Sequence, residues 1–191
     1  MPLVVPYDRA VAIAYAHRWA YQRNPAYYNY DDLGGDCTNF ASQCLFAGTG
    51  VMNFTPDLGW YYLDANRKSP SWTGVPYFYN FLTRKDPSPG PFGVETTLDQ
   101  MLPGDFVQLR FRGDRFGHTP IIVEMGFPAT PENTLVAAHS EDADYRPLST
   151  YTYEEVRFLH IIAAFLPGIT RKEAFSSGFP LMVPTVFNPY F

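Results

Sequence analysis

The sequence predicts an α+β domain, helices first and an antiparallel sheet after them. Three observations carry that expectation. Residues 7–82 hold three segments of helical period. From residue 103 the apolar period shortens to that of strands, in four runs. The two kinds of segment are separated along the chain, not alternated, which favours an antiparallel sheet over βαβ units.

The helices come first. In residues 7–22, Val11, Tyr15 and Trp19 recur every four positions with alanines between, Asp8 suits the first turn, and Asn24-Pro25 ends the run. Residues 25–35 are a tyrosine-rich approach loop. A second helix runs from about 37 to 47, with Asp36 placed as its N-cap and Gly48 as its C-cap. A short third helix follows Thr73, carrying Val75, Phe78, Tyr79 and Leu82. The proline- and glycine-rich stretch 86–93 reads as a loop.

The strands follow. Pro103-Gly104-Asp105 turns into a strand over 105–111. Others are expected at 118–126, 134–139 and 157–165. The whole chain, 1–191, reads as one domain, with its core in about 7–165. Residues 166–191 read as a tail wrapping that core.

Composition narrows the function. The 191 residues are 46% hydrophobic and 17% aromatic, enough for a sizeable core and an aromatic-lined groove. A net charge of −5 without a basic run argues against a nucleic-acid partner. No stretch approaches the roughly 20 apolar residues of a membrane span. The opening MPLVVPYDRA lacks the basic and apolar regions of a signal peptide. Cys37 and Cys44 share a helix. Seven residues separate their Cα atoms by roughly 10.5 Å, beyond disulfide reach, so both thiols are expected to be free.

The chemistry centres on GGDCTNFASQ, residues 34–43. Cys37 stands at the first turn of a helix, where unpaired N–H groups and the positive dipole end favour an anionic sulfur. Cys44, on the apolar face with Phe40, Ala41 and Leu45, reads as core. Among the four histidines, His17 and His160 sit inside elements and read as structural. His118 opens one strand and His139 ends the next, so an antiparallel hairpin brings both to one rim of the sheet. This gives a nucleophile, Cys37, a general base and acid, His118, and an orienting group, His139, with Asp142 as the competing orienter. The N–H of Cys37 and a hydroxyl from Tyr27, Tyr28 or Tyr30 would hold the oxyanion.

GGDCTNFASQ, PGDFVQL, GHTPIIVE and VAAHSED occur in an order that resembles papain-like bacterial hydrolases, the NlpC-type peptidases and CHAP amidohydrolases. The match is closest to the bacterial family called the putative amidase domain, which the WYY and SWTGV segments also resemble. The likeness covers about residues 7–165. It implies a papain-like fold with the catalytic cysteine at a helix N-terminus. It also implies hydrolysis of a C–N amide bond through a thioester, in a peptide or peptidoglycan fragment, with no cofactor. An exported or cell-wall-associated setting goes with that resemblance. Thr38 stands where the NlpC-type enzymes have serine, and Thr119-Pro120 places a ladder-breaking proline beside the base. Two rivals remain at this level. One is a zinc hydrolase using Cys37, His118, His139 and Asp142. The other is a binding module that holds a cell-wall or protein ligand without turnover.

Overall fold

The computed structural model describes residues 3–167. The proposed tail over 166–191 therefore lies, except for its first two residues, outside the described part. A short strand β1 (Val4–Pro6) leads into α1 (Arg9–Trp19), and α2 (Cys37–Thr49) follows the tyrosine loop. Next come a small hairpin, β2 (Tyr62–Asp64) and β3 (Arg67–Lys68), and two short helices, α3 (Pro70–Thr73) and α4 (Val75–Leu82). The main sheet is completed by β4 (Gly90–Thr96), β5 (Phe106–Arg110), β6 (Ile121–Met125), β7 (Thr134–Ala138), β8 (Ala143–Pro147) and β9 (Glu155–Phe165). The expected α+β arrangement is present, with helices packed on an antiparallel sheet.

The sheet runs β1-β9-β5-β6-β7-β8, and β4 pairs with the other edge of β9. The eleven residues of β9 thus pair on both sides: β4 along one edge, β5 and β1 in succession along the other. Strands β1, β4 and β8 are additions to the expected set. Residues 90–93 are strand instead of loop, because Gly90 (φ 102°) turns the chain onto β9 and the backbone pairs despite Pro91.

The sheet buries both faces. Phe106, Ile121, Val123, Ala137, Leu159 and Ile161 face the helices, together with Phe40, Leu45, Trp60, Trp72 and Phe78. On the opposite face Val107, Leu109, Ile122 and Val136 pack under Leu148 and Tyr151. This alternation along β5 and β6 is the period-2 rule at work. Trp60 and Trp72 lie fully buried, with ring centroids 4.8 Å apart. Trp60 Nε1 donates to Ser42 Oγ, which donates to the Trp72 carbonyl.

Two helix ends differ from expectation. Helix α2 continues to Thr49, and its C-cap is Gly50 in the left-handed region (φ 65°), donating to the Phe46 carbonyl. Gly48 serves packing instead: a Cβ there would stand 2.5 Å from the Tyr7 ring and 2.6 Å from the Asp8 carbonyl. Helix α1 is shorter than expected, starting after Asp8, whose carboxylate accepts from the Val11 N–H as an N-cap.

Candidate functional site

The site is built where the start of α2 meets the rim of the sheet. Asp36 precedes the helix, but its side chain does not cap it. One carboxylate oxygen accepts from the Tyr30 N–H and from Asn39 Nδ2, and the other meets His139 Nδ1 at 2.6 Å. Its backbone N–H donates to Ser140 Oγ at 2.6 Å. Ser140 takes a left-handed φ of 74°, uncommon for a residue with a Cβ, to make this contact. Gly35 lies directly beneath, with room of only 3.1 Å between a Cβ and Ser140 Oγ. The two sequence motifs, GGDC and HSED, are thus interlocked.

This network locates Cys37. Its Sγ lies 3.9 Å from the Gly117 carbonyl, to which the thiol can donate, and 3.8 Å from Thr38 Oγ1. The Thr119 N–H donates to the sulfur. The sulfur therefore contacts the backbone on either side of His118, on the strand edge turned away from β5, since the His118 carbonyl accepts from the Leu109 N–H. Thr38 Oγ1 and Thr119 Oγ1, 3.1 Å apart, fasten the helix to that edge. Pro120 breaks the run. The strand is regular only from Ile121, and an isolated bridge to Leu109 holds His118 in place.

The expected depressed thiol is not what this environment gives. Burial pushes the Cys37 thiol up, and the Asp36 charge adds to that. Hydrogen bonds from the Thr119 N–H, the Thr38 hydroxyl and the Thr38 N–H oppose the rise without reversing it. His118 is also shifted toward neutrality. Burial lowers it, Glu141 partly opposes and Arg146 adds a smaller lowering, which together bring it to about 4. At neutral pH the site at rest pairs a neutral thiol with a neutral imidazole. No hydrogen bond joins them: the thiol faces Gly117, and His118 Nε2 is buried with no partner.

His118 and His139 do reach the same rim, but on different faces. His139 stacks on Phe40 at 3.9 Å, on the helix side. The His118 ring lies 5.6 Å from that of Tyr151 and 6.0 Å from that of Phe111, on the other side. The expected hydrogen bond between the two histidines is therefore absent. Both His139 nitrogens are already used, one by Asp36 and the other by the Trp19 carbonyl at 2.8 Å. The Trp19 carbonyl belongs to the last residue of α1, so the ring ties the end of that helix to Asp36 at the start of α2. Asp142, the alternative orienter, pairs with Arg23 at 2.8 Å.

The tyrosines of the approach loop serve packing and loop shape. Tyr27 stacks on Trp72, Tyr30 Oη meets the Ala65 carbonyl at 3.4 Å, and the rings of Tyr28 and Tyr30 lie 5.0 Å apart. His17 bonds Asp144, and His160 bonds Asp105, the structural roles expected of them. Cys44 is fully buried. Among the described residues no three His, Cys, Asp or Glu side chains converge as a metal site would require, so the four suggested zinc ligands do not meet.

Two cavities flank the Ser140–Asp142 turn. One, of about 240 Å³, is lined by Arg23, Asp31, Ser140, Glu141 and Asp142. The other, of about 300 Å³, is lined by Phe111, Arg146, Thr150, Tyr151 and Thr152, and shares Glu141. Neither is lined by Cys37 itself. The site residues that sequence reasoning missed are Arg23, Ser140 and Tyr151. Ser140 was within reach, being part of HSED. Tyr151 was not: it lies in a turn between strands with no motif around it.

The family model described as "Putative amidase domain" matches residues 6–162. A relative, "Uncharacterized protein YhbB" of Bacillus subtilis (strain 168), is 34% identical over 164 residues. That alignment takes in 82% of this chain and 50% of the relative, so the chain spans about half the relative's length. No solved structure matches the chain. The match spans every element from α1 to the greater part of β9, with Cys37, His118 and His139 inside it: the chain belongs to the putative amidase domain family.

Proposed function

We propose that the protein is a cysteine-dependent amide hydrolase of the papain-like kind, acting on a peptide or peptidoglycan fragment. The observation that carries this reading is the position of Cys37. Its sulfur stands at a helix N-terminus, against the backbone flanking His118, within an amidase family domain. In the reaction, Cys37 Sγ forms a bond to the amide carbonyl carbon while its proton passes to neutral His118. The Cys37 N–H, one of the donors a helix leaves unpaired at its start, faces the developing oxyanion. His118 then gives its proton to the leaving amine, the C–N bond breaks and a thioester remains. Water, deprotonated by His118, releases the acid and restores the thiol. His139 is a positioning residue here. Through Asp36 it fixes the start of α2 and hence the sulfur.

In this reading the thiol, which contacts Gly117 and Thr38 at rest, turns to His118 when substrate binds. The buried Cys37 also favours one rival, a module that binds without turnover. Incubation with peptidoglycan fragments, followed by mass spectrometry, separates the two. Hydrolysis adds one water across a defined C–N bond, whereas a binding module returns the fragments unchanged.

The protonation of His118 gives a pH dependence with a definite sign. Its pKa is lowered to about 4 from an ordinary 6.5. The unfolded chain therefore binds a proton that the folded one does not, between those values. The stability this neutral ring contributes is full above pH 6.5 and is lost as pH falls toward 4, by up to about 3 kcal/mol. The acid limb of kcat/KM should fall near pH 4 instead of 6.5, and His118→Ala should remove activity by about a hundredfold or more. An acid limb at 6.5, or a His118→Ala variant of full activity, would remove His118 as the base.

A further inference from the structure

Three buried side-chain polar atoms among the described residues have no hydrogen-bond partner: Asp31 Oδ1, His118 Nε2 and Tyr151 Oη. Two of the three belong to adjacent rings. His118 and Tyr151 are each 6% exposed, and their centroids lie 5.6 Å apart at 44°. A buried donor or acceptor left unpaired is costly, so two on neighbouring rings call for a shared partner. The surroundings are otherwise satisfied. Arg146 lies over the Tyr151 ring at 3.7 Å and acts on its hydroxyl, but its nitrogens bond Glu141 and Thr150 and none meets Tyr151 Oη in hydrogen-bond geometry. Glu141, bonded to Arg146, and Cys37 complete the charged or titratable groups acting on this pair. The 300 Å³ cavity is lined by Tyr151 and by Phe111, the other ring packed near His118.

We propose that Tyr151 is the positioning residue for His118, its hydroxyl holding His118 Nε2 through one bridging water or a small rotation of either ring. This rests on the hydrolase reading given above. It supplies what His139 and Asp142, committed elsewhere, do not. If Nδ1 is to take the proton of Cys37, Nε2 must carry the other ring hydrogen. A buried hydrogen of that kind needs an acceptor, and Tyr151 Oη or the water it holds provides one. The phenol ring also forms one wall of the cavity. A substrate chain lying there would pass beside the oriented imidazole.

The test is Tyr151→Phe, which keeps the ring and removes the oxygen. Two readouts are needed. The first is the ring ¹⁵N spectrum of His118 in protein labelled at histidine, followed against pH. The resonances should show Nε2 protonated in the parent and a changed tautomer balance in the variant. The second is kinetics on the fragment identified by mass spectrometry. The kcat should fall tenfold or more, with KM within about threefold. A purely structural Tyr151 would lower Tm and leave both the His118 tautomer and kcat as they are, which would overturn the proposal. Should Tyr151→Phe fail to fold, 3-fluorotyrosine at position 151, with the same shape and a more acidic hydroxyl, must move the same resonances. If Cys37→Ala still hydrolyses the fragment, the cysteine reading falls. The His118 spectrum, which needs no turnover, still decides on Tyr151.

Discussion

Cys37→Ala is expected to abolish amide hydrolysis, by at least about a thousandfold, while the fold persists. On the proposed mechanism the loss is large because Cys37 supplies the attacking atom at the start of α2. Neither Thr38, whose hydroxyl is tied to Thr119, nor buried Cys44 can take its place. The fold should persist because the sulfur's contacts to Thr38 and Gly117 are long, at 3.8 and 3.9 Å, and its remaining one is a backbone N–H, that of Thr119. Cys44→Ala is the matched control. It deletes the same atom from the same helix, seven residues on, inside the core. It should cost stability and retain turnover. Equal activity in Cys37→Ala and the parent would end the cysteine mechanism, whatever the family.

The second large effect is on stability. His139→Ala should destabilise the protein by roughly 3–5 kcal/mol, a fall in Tm on the order of 10 °C. His139 and Asp36 are both 1% exposed, and the carboxylate would be left with the Arg23 Nε, 3.7 Å away, as its nearest cation. The Trp19 carbonyl and the face of Phe40 would lose their partner as well. Asp36→Asn should be milder, since an amide keeps the bond from Tyr30 and can still donate toward the ring. Denaturant melts of both variants check this. A His139→Ala variant within 1 kcal/mol of the parent would mean the pair contributes little to the fold.

Much of the fold could be read from the chain because its signals are local. The alternating apolar residues of β5, β6 and β7, the start of α2 and the burial of Cys44 each follow from periodicity or capping chemistry. The missed pieces depend on distant partners. Strand β4 exists because β9 is long enough to pair along both edges, which no window around Pro91 reveals. The site divides in the same way. That His118 and His139 reach one rim follows from a hairpin. That they face opposite sides of it follows from which residues continue the pleat, Ala137 toward the helices and Leu109 away from them. Asp36 looked like a helix cap, and sequence could not show that His139 and Asn39 would claim its carboxylate first.

The paired indoles of Trp60 and Trp72 have a practical meaning. At 4.8 Å and a tilt of 33°, their transitions couple, and they give a circular dichroism couplet that exists only while the core is closed. They are tied to Ser42 and packed with Phe81 and Tyr62, so their hydrogen bonds and ring contacts among the described residues go to groups other than Cys37, His118 and Tyr151. Nature has in effect installed an optical gauge of integrity that the chemistry does not disturb, so a silent variant can be told at once from an unfolded one.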